Sequence, residues 1–215
     1  MKSVLILGAG NFGAMLAREM YAQGFEIMIV DAREGLINAV MPYVTDAQIG
    51  DCTNPGFLST LGVDNYDLCV VTICENFQTS LETTSLLKDL GAKQVISRAK
   101  NEIQEKFLLR NGANEVVYPE KQMARRLATK YASDKILDFI QFDAGYSIYE
   151  MVVPEHWFGK TVLDLDVRKK YEINVISVRR DGLITMTNPK DPFQAGDAVY
   201  VVGEMKNIKK CFHIK

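Results

Sequence analysis

Prolines, histidines and cysteines are scarce in this chain of 215 residues, at six, two and four, and each scarcity removes a class of protein. Few prolines beside 47% hydrophobic and 24% charged residues exclude a collagen-like, low-complexity or disordered chain. The cysteines, Cys52, Cys69, Cys74 and Cys211, lack CxxC spacing, and most lie in or beside apolar strand-like segments. That pattern points to reduced, buried thiols and away from a disulfide frame or zinc site. Charge of one sign is missing too: 25 Lys plus Arg against 27 Asp plus Glu leave a net charge of -2, so no global basic field draws nucleic acid. Apolar runs such as Val4-Leu5-Ile6-Leu7 and Leu68-Cys69-Val70-Val71 are strand length, far short of the roughly 20 residues a membrane helix needs. Met1-Lys2-Ser3 passes directly into a short apolar segment ending in glycines, without the h-region or cleavage site of a signal peptide. The expectation is a globular, cytoplasmic protein with room for two small domains.

The first half alternates β-branched runs with helical stretches: Ser3 to Gly8, a helix from Asn11, Glu26 to Asp31, Ala47 to Asp51, a helix near Pro55, and Asp67 to Ile73. A helix over Asn76 to Leu90 is stopped by Gly91, a strand covers Gln94 to Ser97, and a helix over Glu102 to Asn111 is stopped by Gly112 before Glu115 to Tyr118. This alternation predicts an α/β fold, a Rossmann-like doubly wound parallel sheet. After Pro119 the pattern becomes one crossover helix, Lys121 to about Ser133, then strands without long helices between them. Strands are expected at Ile136 to Phe142, Tyr146 to Val153, Val175 to Arg179, Leu183 to Met186 and Ala198 to Val202, with a single helix over Val162 to Tyr171. The expected domains are 1–120, a crossover helix 121–135, and a small α+β domain 136–215. Asp181-Gly182 reads as a type I′ hairpin turn, since both residues accept positive φ.

Gly8-Ala9-Gly10-Asn11-Phe12-Gly13 follows the first strand and opens the first helix, the context a dinucleotide fingerprint requires. Gly8 would permit the tight turn, Gly10 the approach of a phosphate to the helix N-terminus, and Gly13 close packing of helix on sheet. Asp31 stands where the fingerprint places an acid that accepts hydrogen bonds from ribose hydroxyls, and it would repel a 2′-phosphate. Asp51, Arg98 and Glu120 end or follow strands at the same carboxyl edge; Arg98 suits a phosphate, and Glu120 a cation or an arginine of a partner. As purely structural residues the glycines would only shape the turn and the charges would be ordinary surface groups.

Nothing in this sequence supplies the proton donor or acceptor that a Rossmann dehydrogenase sets beside nicotinamide. His156 and His213 lie in the second domain and read as surface or packing residues. Phe158-Gly159-Lys160-Thr161 lacks the first P-loop glycine, its position being Pro154, and becomes a turn into a helix. Arg125-Arg126 reads as a solvated helix face. An NAD-dependent oxidoreductase or redox sensor is the alternative to a binding module.

Taken together, Gly8 to Gly13, Asp31, Gly50-Asp51-Cys52-Thr53, Glu75-Asn76, Gly112-Ala113-Asn114 and Pro119-Glu120-Lys121 resemble the RCK (regulator of conductance of potassium) family over essentially the whole chain. The resemblance is to cytosolic gating subunits of Trk/Ktr-type (TrkA, KtrA-like) potassium uptake systems. It implies a switch and no catalysis: homodimers assembled into a homo-octameric ring beneath a membrane potassium channel, with bound ATP, ADP or NAD(H) setting the ring's shape. Carried over, Gly8, Gly10 and Gly13 meet phosphates with Asn11 and Phe12 beside them, Asp31 the ribose, Asp51 and Cys52 the adenine side, and Arg98 the phosphate region. Glu120 lies at the family's dimer interface near the nucleotide and a divalent cation. Asn11 stands where many ATP-responsive members have Arg, which leaves NAD(H) or AMP beside ATP and ADP as the ligand. In the second domain, Val162-Leu163-Asp164-Leu165-Asp166-Val167-Arg168 followed by Asn174-Val175 resembles the family's cyclic di-AMP pattern. It implies Arg168 on phosphate, Asn174 on a base, and Leu163 and Val175 against the rings, with Asp166 completing the D-x-R element. As plain structure, Arg168 would pair with Asp164 or Asp166.

Overall fold

Four consecutive branched apolar residues leave no polar face on β1 (Ser3–Leu7), and Val4, Leu5, Ile6 and Leu7 are all fully buried. Such a strand is stable only where helices cover both faces of its sheet. In the computed structural model, which describes residues 1–142 and 145–214, that is its setting. The chain continues through α1 (Asn11–Ala22), β2 (Glu26–Asp31), α2 (Glu34–Val40), β3 (Asp46–Ile49), α3 (Pro55–Thr60) and β4 (Leu68–Val71). It then runs through α4 (Phe77–Asp89), β5 (Val95–Arg98), α5 (Glu102–Arg110) and β6 (Glu115–Val117). The strands pair in parallel in the order β3-β2-β1-β4-β5-β6. Alternate residues of β1 feed opposite layers: Val4 and Ile6 pack with Ile27, Ile29 and Ile37, while Leu5 and Leu7 pack with Leu58, Val71 and Leu87. The order reverses between β1 and β4, and the crevice above their carboxyl ends is where this architecture takes ligands.

By contact the chain divides into two compact units, the first covering Met1–Glu120 and the second beginning at Lys121. Helix α6 (Pro119–Lys130) follows β6 and has no buried residue. The second unit holds β7 (Ile136–Gln141), β8 (Tyr146–Val152), α7 (Val162–Leu165), α8 (Val167–Tyr171), β9 (Asn174–Arg180), β10 (Leu183–Met186), β11 (Ala198–Glu204) and α9 (Met205–Phe212). Its strands form an antiparallel sheet in the order β10-β9-β11-β8-β7. Trp157, Phe193 and Phe212 meet at its centre, with Ile173, Val199 and Ile208 around them. The two histidines stack on each other, ring centroids 5.1 Å apart.

Two expectations change. The predicted helix over 162–171 is two helices, broken at Asp166, whose φ of +46° is left-handed. A side chain as short as aspartate tolerates that region better than most, and it lets the chain turn a corner between the two turns of helix. Helices α2 and α9 were not expected, although Ile208, Cys211 and Phe212 in α9 recur at helical spacing and are buried. Arg125 and Arg126 do lie on an exposed helix face as expected, and Arg126 Nη2 there also lies 2.9 Å from Asp138 Oδ2. The Asp181-Gly182 hairpin is present as expected, with φ of +49° and +80°. All four cysteines are free and buried.

Candidate functional site

The glycine loop occupies the carboxyl end of β1, and its three glycines differ in what surrounds them. Gly8 has φ +112°, and a Cβ there would lie 2.7 Å from Thr72 Oγ1. A Cβ on Gly13 would fall 2.1 Å from the carbonyl oxygen of Gly8, so α1 packs on the loop as only glycine permits. At Gly10 a Cβ would meet nothing within 4 Å; that position opens outward. The Thr72 hydroxyl, at the end of β4, donates to Gly8 O at 2.7 Å and closes the loop onto the switch point. Gly10 caps α1 without a side-chain hydrogen bond, and no acidic residue lies in the first turn. The leading N–H groups of the helix and the positive end of its dipole are thus offered to whatever enters.

Asp31 ends β2 and is only 6% exposed. Its Oδ2 accepts from Ala9 N at 2.8 Å and from Arg33 Nη2 at 3.3 Å; its Oδ1 accepts from Arg33 N at 2.9 Å and Arg33 Nε at 3.1 Å. Burial alone would raise its pKa, but the Arg33 hydrogen bonds, the Ala9 and Arg33 amides and the Arg33 charge together hold it below the ordinary value. The carboxylate is therefore ionised and tied directly to the glycine loop. Asp51, past the end of β3, accepts from the amide and hydroxyl of Thr53, both at 2.8 Å, and those bonds lower its pKa. Cys52 is buried, its thiol pushed up to about 12 chiefly by burial and then by the charges of Asp31 and Asp51. It can meet a ligand as bulk or backbone, never as a thiolate.

Arg98 ends β5. Its guanidinium lies 5.1 Å from the ring centre of Phe12 in the first turn of α1, and Nη2 pairs with Glu120 Oε1. Its buried Nε has no hydrogen-bond partner among the described residues. Glu120 is held below its ordinary pKa first by its own amide and then, against desolvation, by Arg98. The structure thus brings Gly8 to Gly13, Asp31 and Arg98 to one sheet edge, with Glu120 joined through Arg98. Among the described residues, no group of three or more His, Cys, Asp or Glu side chains is placed to hold a metal ion. Sequence reasoning passed over Thr72 and Arg33, and it took Glu75 as part of a family motif without giving it a role at the site. Only their positions after β4 and β2 could have flagged them.

In the second unit, Leu163, Arg168 and Asn174 are exposed, while Val175 packs on the domain core. Asp164 closes a capping box with Thr161, and Asp166 lies 4.0 Å from Lys169, so Arg168 pairs with neither. A register shift between Tyr200 and Val201 of β11 falls opposite the start of β9, where Asn174 and Val175 sit.

Two family models match in succession: the TrkA-N domain over residues 4–119 and the TrkA-C domain over residues 148–214. The chain belongs to this family. The Ktr system potassium uptake protein C of Bacillus subtilis is 34% identical, over 100% of this chain and 99% of its own length. The Ktr system potassium uptake protein A of the same organism is 31% identical, over 97% of this chain and 95% of its own. Family membership places the chain among potassium uptake proteins and not among enzymes. Of solved structures, the GsuK channel bound to NAD superposes with a TM-score of 0.66 at 17% identity, over 99% of this chain and 39% of the channel chain, a likeness of fold. No helix among the described residues is long and apolar enough to cross a membrane.

Proposed function

We propose that this chain is a nucleotide-responsive regulatory subunit of a potassium uptake system. An adenine nucleotide binds at the carboxyl edge of the first sheet, its phosphates on the α1 N-terminus and its ribose toward Asp31. The observation that carries this reading is the pairing of an uncapped helix N-terminus, open at Gly10, with a buried Arg98 Nε across the same edge that lacks a partner among the described residues. Both are donors waiting for an anion. Asn11 is short and neutral, so ATP, ADP and NAD(H) all remain candidates, and the NAD-bound channel of the same fold favours including the last. A divalent cation at Glu120 would complete its shell with nucleotide phosphates or residues of a second chain. In the second unit, cyclic di-AMP is the proposed second ligand, lying across Arg168, Asn174 and Leu163 between two copies. Each ligand favours one shape of a homodimer-based ring at the inner face of the cell membrane, and that differential affinity moves the channel partner.

The test is calorimetric titration of nucleotide-stripped protein with ATP, ADP, NAD, NADH and cyclic di-AMP, repeated on Gly10→Asp. Gly10 has φ -65° and open space around it, so an aspartate fits the fold and puts a carboxylate in the phosphate position. Loss of nucleotide binding with cyclic di-AMP binding retained is the expected outcome. Unchanged nucleotide affinity in the variant would remove the site, and no heat with cyclic di-AMP in either protein would remove the second ligand.

A further inference from the structure

Asp31 has no acceptor position left for a ribose. A carboxylate offers about four lone-pair sites, and here the amides of Ala9 and Arg33 take two while Nε and Nη2 of the Arg33 fork take the others. The two amides belong to the glycine loop and to the turn after β2 and cannot leave without breaking the backbone. The fork can, because the Arg33 side chain is 58% exposed. Its Nη1 also lies 3.8 Å from Glu75 Oε2, in the loop after β4. Since β1 lies between β2 and β4 in the sheet, the arginine reaches from one strand end toward the other over the place where the glycine loop begins.

We propose that Arg33 is a displaceable occupant of the ribose position, so that a nucleotide reaches Asp31 only by breaking the Asp31–Arg33–Glu75 bridge. The inference rests on the nucleotide reading above and adds its selection rule. A ligand is admitted according to what its ribose returns to Asp31 for the lost guanidinium: a free 2′,3′-diol returns two donors, whereas a ribose without hydroxyls returns none and gains little from Arg33's departure. Arg33 is a positioning residue here, acting through Asp31. Its alternative role is that of a bystander cation near an anion site, and the two roles predict opposite signs. Deleting a bystander positive charge weakens binding of a nucleotide, whereas deleting a competitor for Asp31 strengthens it.

The experiment is titration calorimetry of the full chain with ADP and with 2′,3′-dideoxy-ADP, on the wild type, Arg33→Gln and Arg33→Lys. Arg33→Gln should bind ADP about 3- to 10-fold more tightly than wild type, the scale of one partly exposed bidentate ion pair. Arg33→Lys, which keeps the charge and loses the fork, should fall between them. Dideoxy-ADP should change less than about 2-fold between the proteins, because without hydroxyls it does not contend for Asp31. Equal or weaker ADP binding in Arg33→Gln overturns the proposal, as does an equal gain for dideoxy-ADP. If ADP, ATP, NAD and NADH give no heat with wild type or Arg33→Gln, the nucleotide reading itself has failed and the inference falls with it.

Discussion

The two sheets of this chain bury their strands differently, and the difference decides where each can hold a ligand. In the first, β1 is buried along four consecutive residues, because helices lie on both faces. In the second, β8 alternates buried and open positions along its length, and β10 is exposed at every residue. A strand packed on both faces spends its side chains on the core, so chemistry in the first unit is confined to the loops at the carboxyl edge. There it is walled by Gly8, Thr72 and Asp31. The second unit keeps Leu163, Arg168 and Asn174 on an open surface, where a ligand is enclosed only if something covers it. The proposed nucleotide site is framed by residues of a single chain, while the proposed second site needs a second copy.

The sharpest way to break this comparison is to disturb the closest backbone approach in the first unit. Gly13→Val puts a Cβ 2.1 Å from Gly8 O, which no rotamer relieves; it should cost about 3 kcal/mol or more by overpacking. Urea unfolding followed by amide exchange of β1 and β4 would show the loss, and Gly10→Ala, with open space around it, is the control that should stay close to neutral. If the two substitutions cost the same, the loop is looser than its geometry says.

In the second unit the corresponding weak point is electrostatic. Asp197, 1% exposed, accepts from Arg180 Nε and Nη2, both at 2.7 Å, and from Gln194 N at 2.8 Å. Removing one member strands the other, so Asp197→Ala should cost about 3 kcal/mol, somewhat discounted because Arg180 is partly exposed. Arg180, opposed by desolvation and helped by the Gln194 amide, holds the folded pKa of Asp197 below its ordinary 3.8. The pair's contribution is therefore fully present above about that pH and is lost as acid carries the pH down through the lower folded value. A stability profile against pH that is flat below 4 in wild type, or as steep in Asp197→Asn, would contradict this.

The first sheet was legible because its signals are local and repeated. Branched runs, stop glycines such as Gly91 with φ +82°, and the spacing of Gly8 to Gly13 each have one physical reading. Positions at the carboxyl edge followed from strand ends alone. What those positions do to one another did not: the Arg98 pair with Glu120 and the Thr72 hydroxyl on Gly8 are set by groups meeting across crossovers, and the Arg33 fork folds back onto Asp31 within the turn after β2. No periodicity encodes such meetings. In the second unit the short elements blurred the pattern. Ten residues at helical spacing hid the corner at Asp166, and α9 passed unread although its apolar stripe is regular.

That corner supplies the smallest effect and the most direct test of the proposed second site. Helix α7 has four residues, too few to persist on its own hydrogen bonds. It is held by the Thr161 cap: Oγ1 accepts from Asp164 N at 3.2 Å and donates to Asp164 Oδ2 at 2.7 Å, while Thr161 N donates to that same oxygen at 2.9 Å. Thr161→Ala should lower stability by about 1 kcal/mol, with Thr161→Ser restoring most of it. Leu163 and Asp166 lie just beyond this cap, whereas the nucleotide loop is in the other unit. If cyclic di-AMP uses α7, Thr161→Ala should weaken its binding several-fold and leave nucleotide titrations unchanged. A variant that loses stability yet keeps cyclic di-AMP affinity would show that the helix only packs, and that the exposed face of the second unit serves something other than this ligand.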